Sequence, residues 1–133
     1  MEYPNELYRG ITSKNLLVDG CPTKDVFIRF ENTNSDGFDE LSICWNDDER
    51  ALTTIRNQRN KSNGEIQFPA GIALLWRSDM DSIICSKRLK DIFKYERKKL
   101  EDNPYHGNLL FKGDSKLKSQ LASLIALLCK EVL

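Results

Sequence analysis

The sequence predicts an α+β fold: a mostly antiparallel sheet of roughly four to six strands with a long C-terminal amphipathic helix packed on it. Short segments of alternating apolar and polar residues recur along much of the chain, which is typical of strands. The C-terminal segment instead repeats its apolar residues at helical spacing, and two other segments predict one or two further helices. A chain of 133 residues has the usual length of one domain, so we expect residues 1–133 to form a single domain.

The first strands are predicted in the N-terminal third of the chain. "LYRGI" (7–11) is expected to open the sheet. "KDVFIRF" (24–30) and "DELSICW" (39–45) both alternate, and the polar residues between them suit a loop. Residues 24–45 are therefore predicted to form a β-hairpin with a long tip.

Two later segments are also expected to be strands. "EIQFPAGIALLW" (65–76) is strongly apolar, but Pro69 and Gly71 interrupt it, which predicts either two strands or one bulged strand. "GNLLFKG" (107–113) is short and bounded by glycines, which favours a strand over a helix.

Three segments predict helices. Residues 47–61 carry acidic side chains at the start and basic ones at the end, as the helix dipole favours. A basic helix is expected at about 86–101, and Pro104 sets its limit. Residues 114–133 have apolar side chains at intervals of three and four, which predicts a buried helix lying on the sheet.

Composition disfavours several classes of protein. The net charge is zero, so no long-range field attracts nucleic acid or an anionic membrane. The longest apolar run, "AGIALLW", is far shorter than the roughly 20 residues that span a bilayer. The N-terminus "MEYPNELYRG" lacks the apolar region of a signal peptide. We therefore expect a cytoplasmic protein with no membrane partner.

The cysteines predict neither a metal site nor a disulfide framework. Cys21, Cys44, Cys85 and Cys129 are far apart in the chain and never in C-x-x-C spacing. Three of them lie in apolar surroundings, as buried free thiols do. We expect no metal and no cofactor.

Charge is unevenly distributed along the chain. Residues 31–49 contain seven acidic residues and no basic one, whereas residues 87–99 contain seven basic residues and two acidic ones. We therefore predict a protein-binding or regulatory module that contacts a protein partner, or a second copy of itself, through the acidic hairpin and the basic helix. Two alternatives stay open: the segments pair within the chain, or the basic helix binds nucleic acid with Tyr95 stacking on a base, which the zero net charge disfavours.

A few residues could support chemistry. His106 is the only histidine, and imidazole is the usual general acid or base near neutral pH. Ser42 is its candidate catalytic partner, although no G-x-S-x-G elbow is present. Arg9, followed by Gly10, could offer its guanidinium to a phosphate. The structural alternatives are an arginine paired with an acidic residue and a histidine that hydrogen-bonds within its turn.

Two resemblances add to these candidates. "YRG" (8–10) resembles the arginine-bearing first strand of the ADP-ribosyltransferase fold, where the arginine contacts NAD. The order "LYRGI", "DGCPT", "ELS" and "PYHGNLLF" resembles that of small bacterial cytoplasmic proteins with no assigned activity. The second resemblance implies a shared site. Its matching positions are Arg9, Asp19, Gly20, Thr23, Ser42 and His106.

These candidates define an alternative to the protein-binding module. It is a small enzyme or binder, ADP-ribosyltransferase-like or phosphotransferase-like, that acts on a nucleotide or RNA phosphate. Arg9, with Thr23 and Asp19, would bind the ligand, while His106 would act as acid or base beside Ser42. This alternative requires Arg9, Ser42 and His106 to lie in one pocket.

Overall fold

The structure, a computed structural model, describes residues 3–133 and is built around one six-stranded antiparallel sheet. The strands are β1 (Glu6–Ile11), β2 (Leu17–Val18), β3 (Cys21–Pro22), β4 (Asp39–Trp45), β5 (Gly71–Trp76), β6 (Phe93–Arg97), β7 (His106–Phe111) and β8 (Glu131–Val132). Their order across the sheet is β6-β7-β4-β1-β5-β8, and β2 pairs with β3 in a separate ribbon. The predicted α+β class with an antiparallel sheet is confirmed.

Three α-helices and two short 3-10 turns complete the fold. The helices are α1 (Ala51–Arg56), α2 (Arg77–Ser86) and α3 (Ser115–Leu127), and the turns are Lys14–Leu16 and Lys24–Val26. α3 is the predicted C-terminal helix on the sheet. Its N-cap is Asp114, which accepts a hydrogen bond from the Leu117 amide at 2.8 Å. The helix is shorter than predicted because the chain turns back into β8, which pairs with β5.

The predicted basic helix at about 86–101 is wrong. α2 occupies residues 77–86 instead and ends before Arg88, which has a positive φ of 56°. The following residues form β6, where Phe93 and Tyr95 turn toward the core and pack edge-to-face at 5.7 Å between ring centroids. The alternation in β6 therefore prevails over the helical spacing that Leu89, Ile92 and Phe93 suggested.

The predicted hairpin at 24–45 is half right. β4 is confirmed, but residues 24–30 contain a 3-10 turn and no strand, and only a single bridge joins Glu31 to Glu40. Val26 and Phe27 are both buried although they are neighbours in sequence. A strand would point them to opposite faces of the sheet, whereas the turn packs both into the core beside α3.

The other predicted elements are shorter than expected. The helix predicted at 47–61 is present only as α1, and the apolar segment 65–76 contains the single strand β5. No helix in residues 3–133 is long and apolar enough to cross a membrane.

The two faces of the sheet are covered unequally. The closed face carries the larger core, beneath α2 and α3, with Leu7, Leu41 and Trp45 fully buried. The open face carries a smaller cluster in which α1 and Tyr105 cover Tyr8, Cys44 and Ile72. Beyond that cluster Ser42 is exposed on the open face, and the candidate site lies around it.

Candidate functional site

The candidate site lies where β4 stops pairing with β1. β1 pairs with β4 only at Leu7–Trp45 and Tyr8–Cys44, after which the two strands diverge. Further along β4, Glu40 pairs with Glu31 instead. Ser42 lies between these two pairings and is exposed, although β4 is an inner strand of the sheet. A gap therefore opens in the sheet beside Ser42.

Arg9 fills part of this gap from β1. Its Nε donates to the Val26 carbonyl at 3.0 Å, and its Nη1 donates to the Ser42 carbonyl at 2.8 Å. Burial lowers the pKa of Arg9 to about 10, with Glu31 opposing the shift and Arg29 adding to it. Arg9 thus satisfies two backbone carbonyls, and its Nη2 donates to no group within residues 3–133.

His106 lies on the same face of the sheet as Ser42. It pairs with Cys44 across β4 and β7, two positions along from the Ser42–Asn108 pair and therefore on the same face. Its Nδ1 is 2.8 Å from the Lys98 carbonyl, which can only accept a hydrogen bond. Nδ1 must therefore carry the proton, so a neutral His106 keeps a free lone pair on Nε2.

Three adjoining cavities meet at these residues. Their volumes are about 170, 370 and 730 Å³, and Arg9 and Ser42 line all three. His106 lines the first two, and Arg29 lines the second and third. We call the joint space the Arg9 site. The structure thus brings Arg9, Ser42 and His106 together, as the enzyme or binder alternative requires.

Asp19 and Thr23 lie elsewhere. Asp19 is exposed in the turn of the β2–β3 ribbon, where it and Gly20 both have positive φ. The Thr23 hydroxyl donates to the Leu16 carbonyl at 3.0 Å and so stabilises the same ribbon. Neither residue lines the cavities of the Arg9 site. Both have a local structural role in a turn.

Sequence reasoning missed Phe68 and Arg29 as residues of the site. The Phe68 ring lies against Gly10, and a Cβ at Gly10 would overlap it. Phe68 is half-buried and lines two of the three cavities. The "RG" pair in β1 was the only signal, since a glycine within a strand marks a close approach. Arg29 had been assigned to a strand that does not form.

Ser42, Cys44 and His106 are the candidate nucleophiles and base of the Arg9 site. Within the described residues Ser42 Oγ makes no hydrogen bond to His106, so no nucleophile and base are paired here. Burial raises the pKa of the neighbouring Cys44 to about 11, against an opposing hydrogen bond from Asn103, and the thiol stays protonated near neutral pH. Among residues 3–133, no three His, Cys, Asp or Glu side chains are grouped as a metal site.

The charged segments contact each other within the chain. Arg97 forms a two-pronged pair with Asp47, at 2.8 and 2.7 Å. Lys98 Nζ lies 3.4 Å from Glu40 Oε2 beside the Arg9 site. The intrachain pairing that the sequence left open is therefore present, and it accounts for part of the charge segregation.

Comparison with known proteins gives no relative from which a function can be transferred. The chain matches no protein-family model, no curated protein and no solved structure. The resemblance in motif order therefore stays a prediction, and the functional argument depends on the geometry of the Arg9 site.

Proposed function

We propose that this chain binds a nucleotide in the Arg9 site. The observation that carries the proposal is the convergence of Arg9, Ser42 and His106, from three strands, on cavities that adjoin at the gap in the sheet. Two of these cavities have volumes in the usual range for small-ligand sites. Three features of the site support this proposal: Arg9 and Arg29 would bind the phosphate, Phe68 would stack on the base, and His106 would accept a proton.

The phosphate would lie between Arg9 and Arg29. Both side chains line the same two cavities, and Arg29 contributes to lowering the pKa of Arg9, although Glu31, which lines one of these cavities, opposes the shift more strongly. Arg29 is exposed and forms no ion pair with any residue of the described chain. An anion between two guanidinium groups relieves their repulsion and accepts charge-assisted hydrogen bonds.

The base would stack on Phe68. One face of the ring is held by Gly10, and the side chain is half-buried between two cavities that also contain Arg9. A ring fixed in this way can present its remaining surface to a planar ligand. This feature favours a nucleotide over a simple inorganic anion.

His106 adds a proton acceptor to the site. Its Nε2 lone pair is free because Nδ1 is bound to the Lys98 carbonyl. In the proposed complex His106 accepts a hydrogen bond or a proton from the ligand, which is the acid–base role predicted from the sequence. Ser42, exposed at the base of the gap, offers a hydroxyl to the same ligand.

Arg29→Gln tests the proposal most directly, because Arg29 is exposed and its loss disturbs no hydrogen bond that structures the gap. AMP should raise the thermal midpoint of the unaltered chain, since a ligand that binds only the folded state stabilises it. Adenosine and inorganic phosphate, which each lack one of the two contacts, should raise it less. Arg29→Gln should reduce the AMP shift by at least half.

Lys116→Gln is the matched control. Lys116 is exposed on α3, over the closed face, and its replacement removes the same single positive charge. This variant should keep the full AMP shift. The proposal is wrong if AMP leaves the midpoint unchanged, or if the two variants lose the same part of the shift.

The protein-binding or regulatory module is the competing proposal, and we place it second. Its main support was charge segregation, part of which the Arg97–Asp47 and Lys98–Glu40 pairs now explain. A cytoplasmic location belongs to both proposals, because all four cysteines are free thiols and such thiols persist in a reducing compartment.

A further inference from the structure

A second groove lies beside α1 and carries an uncompensated positive charge. Its volume is about 690 Å³, and its lining includes Arg50, Arg59 and Lys61 but only one acidic residue, Asp102. The remaining lining is polar, with threonine hydroxyls and the side-chain amides of Asn57 and Asn60 among it. We call this surface the α1 groove.

The cations of the α1 groove have few partners of their own. Arg50 Nη2 is 3.9 Å from Asp48 Oδ2, and the Arg50 side chain is 79% exposed. Among residues 3–133 the Arg59 side chain donates one hydrogen bond, to the Gly64 carbonyl at 3.5 Å. Neither Arg59 nor Lys61 pairs with a carboxylate in the part of the chain that the structure describes. These charges differ from Arg97, which Asp47 neutralises.

The α1 groove adjoins the Arg9 site. Gln58 lines both spaces, and its Nε2 donates to the Asp102 carbonyl at 3.2 Å. Asp102 lines the α1 groove, and the next residue, Asn103, lines the Arg9 site. A ligand that extends over Gln58 from the Arg9 site therefore enters a groove of positive charge and hydrogen-bond donors.

We infer that the natural ligand is a short single-stranded nucleic acid, with one nucleotide in the Arg9 site and the adjoining phosphates in the α1 groove. This inference rests on the proposed function. Stacking on Phe68 requires an unpaired base, which a single strand provides and a duplex does not. Successive phosphates complement the charges of Arg50, Arg59 and Lys61, because each contact releases a bound counterion.

The experiment compares a labelled oligonucleotide of about eight nucleotides with AMP. Fluorescence anisotropy at two salt concentrations gives the affinity of the oligonucleotide, and the thermal midpoint reports AMP. The double variant Arg59→Glu with Lys61→Glu should bind the oligonucleotide roughly tenfold more weakly. The logarithm of the binding constant falls linearly with the logarithm of the salt concentration. For this variant the slope should be smaller in magnitude by about 1.4, which corresponds to the loss of two phosphate contacts on a single strand. Its AMP shift should be unchanged.

Lys87→Glu with Lys90→Glu is the matched control, since both residues are exposed and the net charge changes equally. It should change the oligonucleotide affinity less than threefold, on the order expected for non-local charge effects. Arg50→Glu with Lys61→Glu is a second test pair, should the first variant lose its thermal unfolding transition.

The outcomes separate this inference from the proposed function. If AMP binds but the oligonucleotide binds no more tightly than AMP, or the two double variants weaken it equally, this inference is wrong and the nucleotide site stands. If AMP does not bind, the proposed function is wrong. Oligonucleotide binding that depends on Arg59 and Lys61 but not on Arg29 would then leave the α1 groove alone as the binding surface, and would overturn the inference as stated.

Discussion

The two faces of the sheet differ in how completely their side chains are covered, although the same strands supply both. On the closed face, Leu41, Ile43 and Trp45 of β4 are buried beneath the helices. On the open face the intervening side chains, Ser42 and Cys44, meet different surroundings: Cys44 is covered and Ser42 is exposed. The alternation of a strand places both sets, but only the covering elements decide whether a position becomes core or site.

The difference teaches that the site depends on what the open face lacks. α1 is less than two turns long and covers one end of the face. Where that cover stops, β1 and β4 also part, and Arg9 takes the place of the missing strand contacts. Burial therefore concentrates on the closed face, whereas Ser42 of the proposed site is exposed on the open face.

The sharpest test of this comparison uses two neighbouring residues of β4. Leu41→Ala should lower the free energy of unfolding by about 2–5 kcal/mol, because it leaves a cavity in the closed face. Ser42→Ala changes the exposed neighbour and should stay within about 0.5 kcal/mol of the unaltered chain. Urea unfolding measures both. Equal losses in the two variants would contradict the assignment of the faces.

Alanine substitutions at two glycines test the effect of adding a methyl group where the packing is already tight. A Cβ at Gly107 would meet the Trp45 indole and the Glu96 carbonyl, which are joined by a 3.1 Å hydrogen bond. Gly107→Ala should therefore cost about 1–3 kcal/mol, since neither neighbour moves freely. The three atoms nearest to a Cβ at Gly10 all belong to the half-buried Phe68 ring, and none of them is a backbone atom.

Gly10→Ala should accordingly cost less stability than Gly107→Ala but should weaken AMP binding, because it displaces the proposed stacking ring. Urea unfolding and the AMP thermal shift are the two measurements. A Gly10→Ala variant with unchanged AMP binding would remove Phe68 from the proposed site.

The sequence predicts β4 well because its apolar alternation is strong, and it predicts β7 from a short apolar run between glycines. β1, β4 and β7 all lie within or overlap their predicted segments. The prediction failed at 24–30 and 86–101, where local spacing suggested a regular element and tertiary packing imposed another. Val26 and Phe27 pack together beside α3, and β6 pairs with β7, the next strand in the chain.

The site was only partly predictable, for a different reason. Arg9 and His106 could be proposed because arginine in a strand and a lone histidine are chemically distinctive. Asp19 and Thr23 were proposed only from the order of motifs. In the structure Asp19 lies in the turn of the β2–β3 ribbon, and the Thr23 hydroxyl donates to the Leu16 carbonyl next to it. The gap beside Ser42 depends on where two strands diverge, which no local pattern in the sequence records.

Replacement of Arg9 should affect both the stability of the fold and the proposed binding of AMP. Arg9→Met keeps much of the apolar stem but leaves the Val26 and Ser42 carbonyls without their donor. We expect a loss of about 1 kcal/mol, since the cost of the unpaired carbonyls is partly offset by removing a buried charge. Urea unfolding checks this value. AMP binding should be lost, and a variant of unchanged stability would contradict the role of Arg9 in closing the gap.

The smallest effect concerns Cys44, on the covered part of the open face. Its pKa in the folded chain is about 11, above the ordinary value of 9.0. Between these values the unfolded chain loses the proton first, so the contribution of Cys44 to stability is complete below pH 9.0 and declines as the pH rises toward 11.

Cys44→Ala isolates this contribution. The free energy of unfolding of the unaltered chain should fall more between about pH 8 and pH 10 than that of the variant, because the remaining titrating groups are common to both. Thiol labelling gives an independent check. At about pH 8 the exposed Cys21 and Cys85 should react quickly, whereas Cys44 should react only after unfolding. Rapid labelling of Cys44 in the folded chain would mean that α1 and Tyr105 do not cover it, and the uncovered region would then extend along the whole open face.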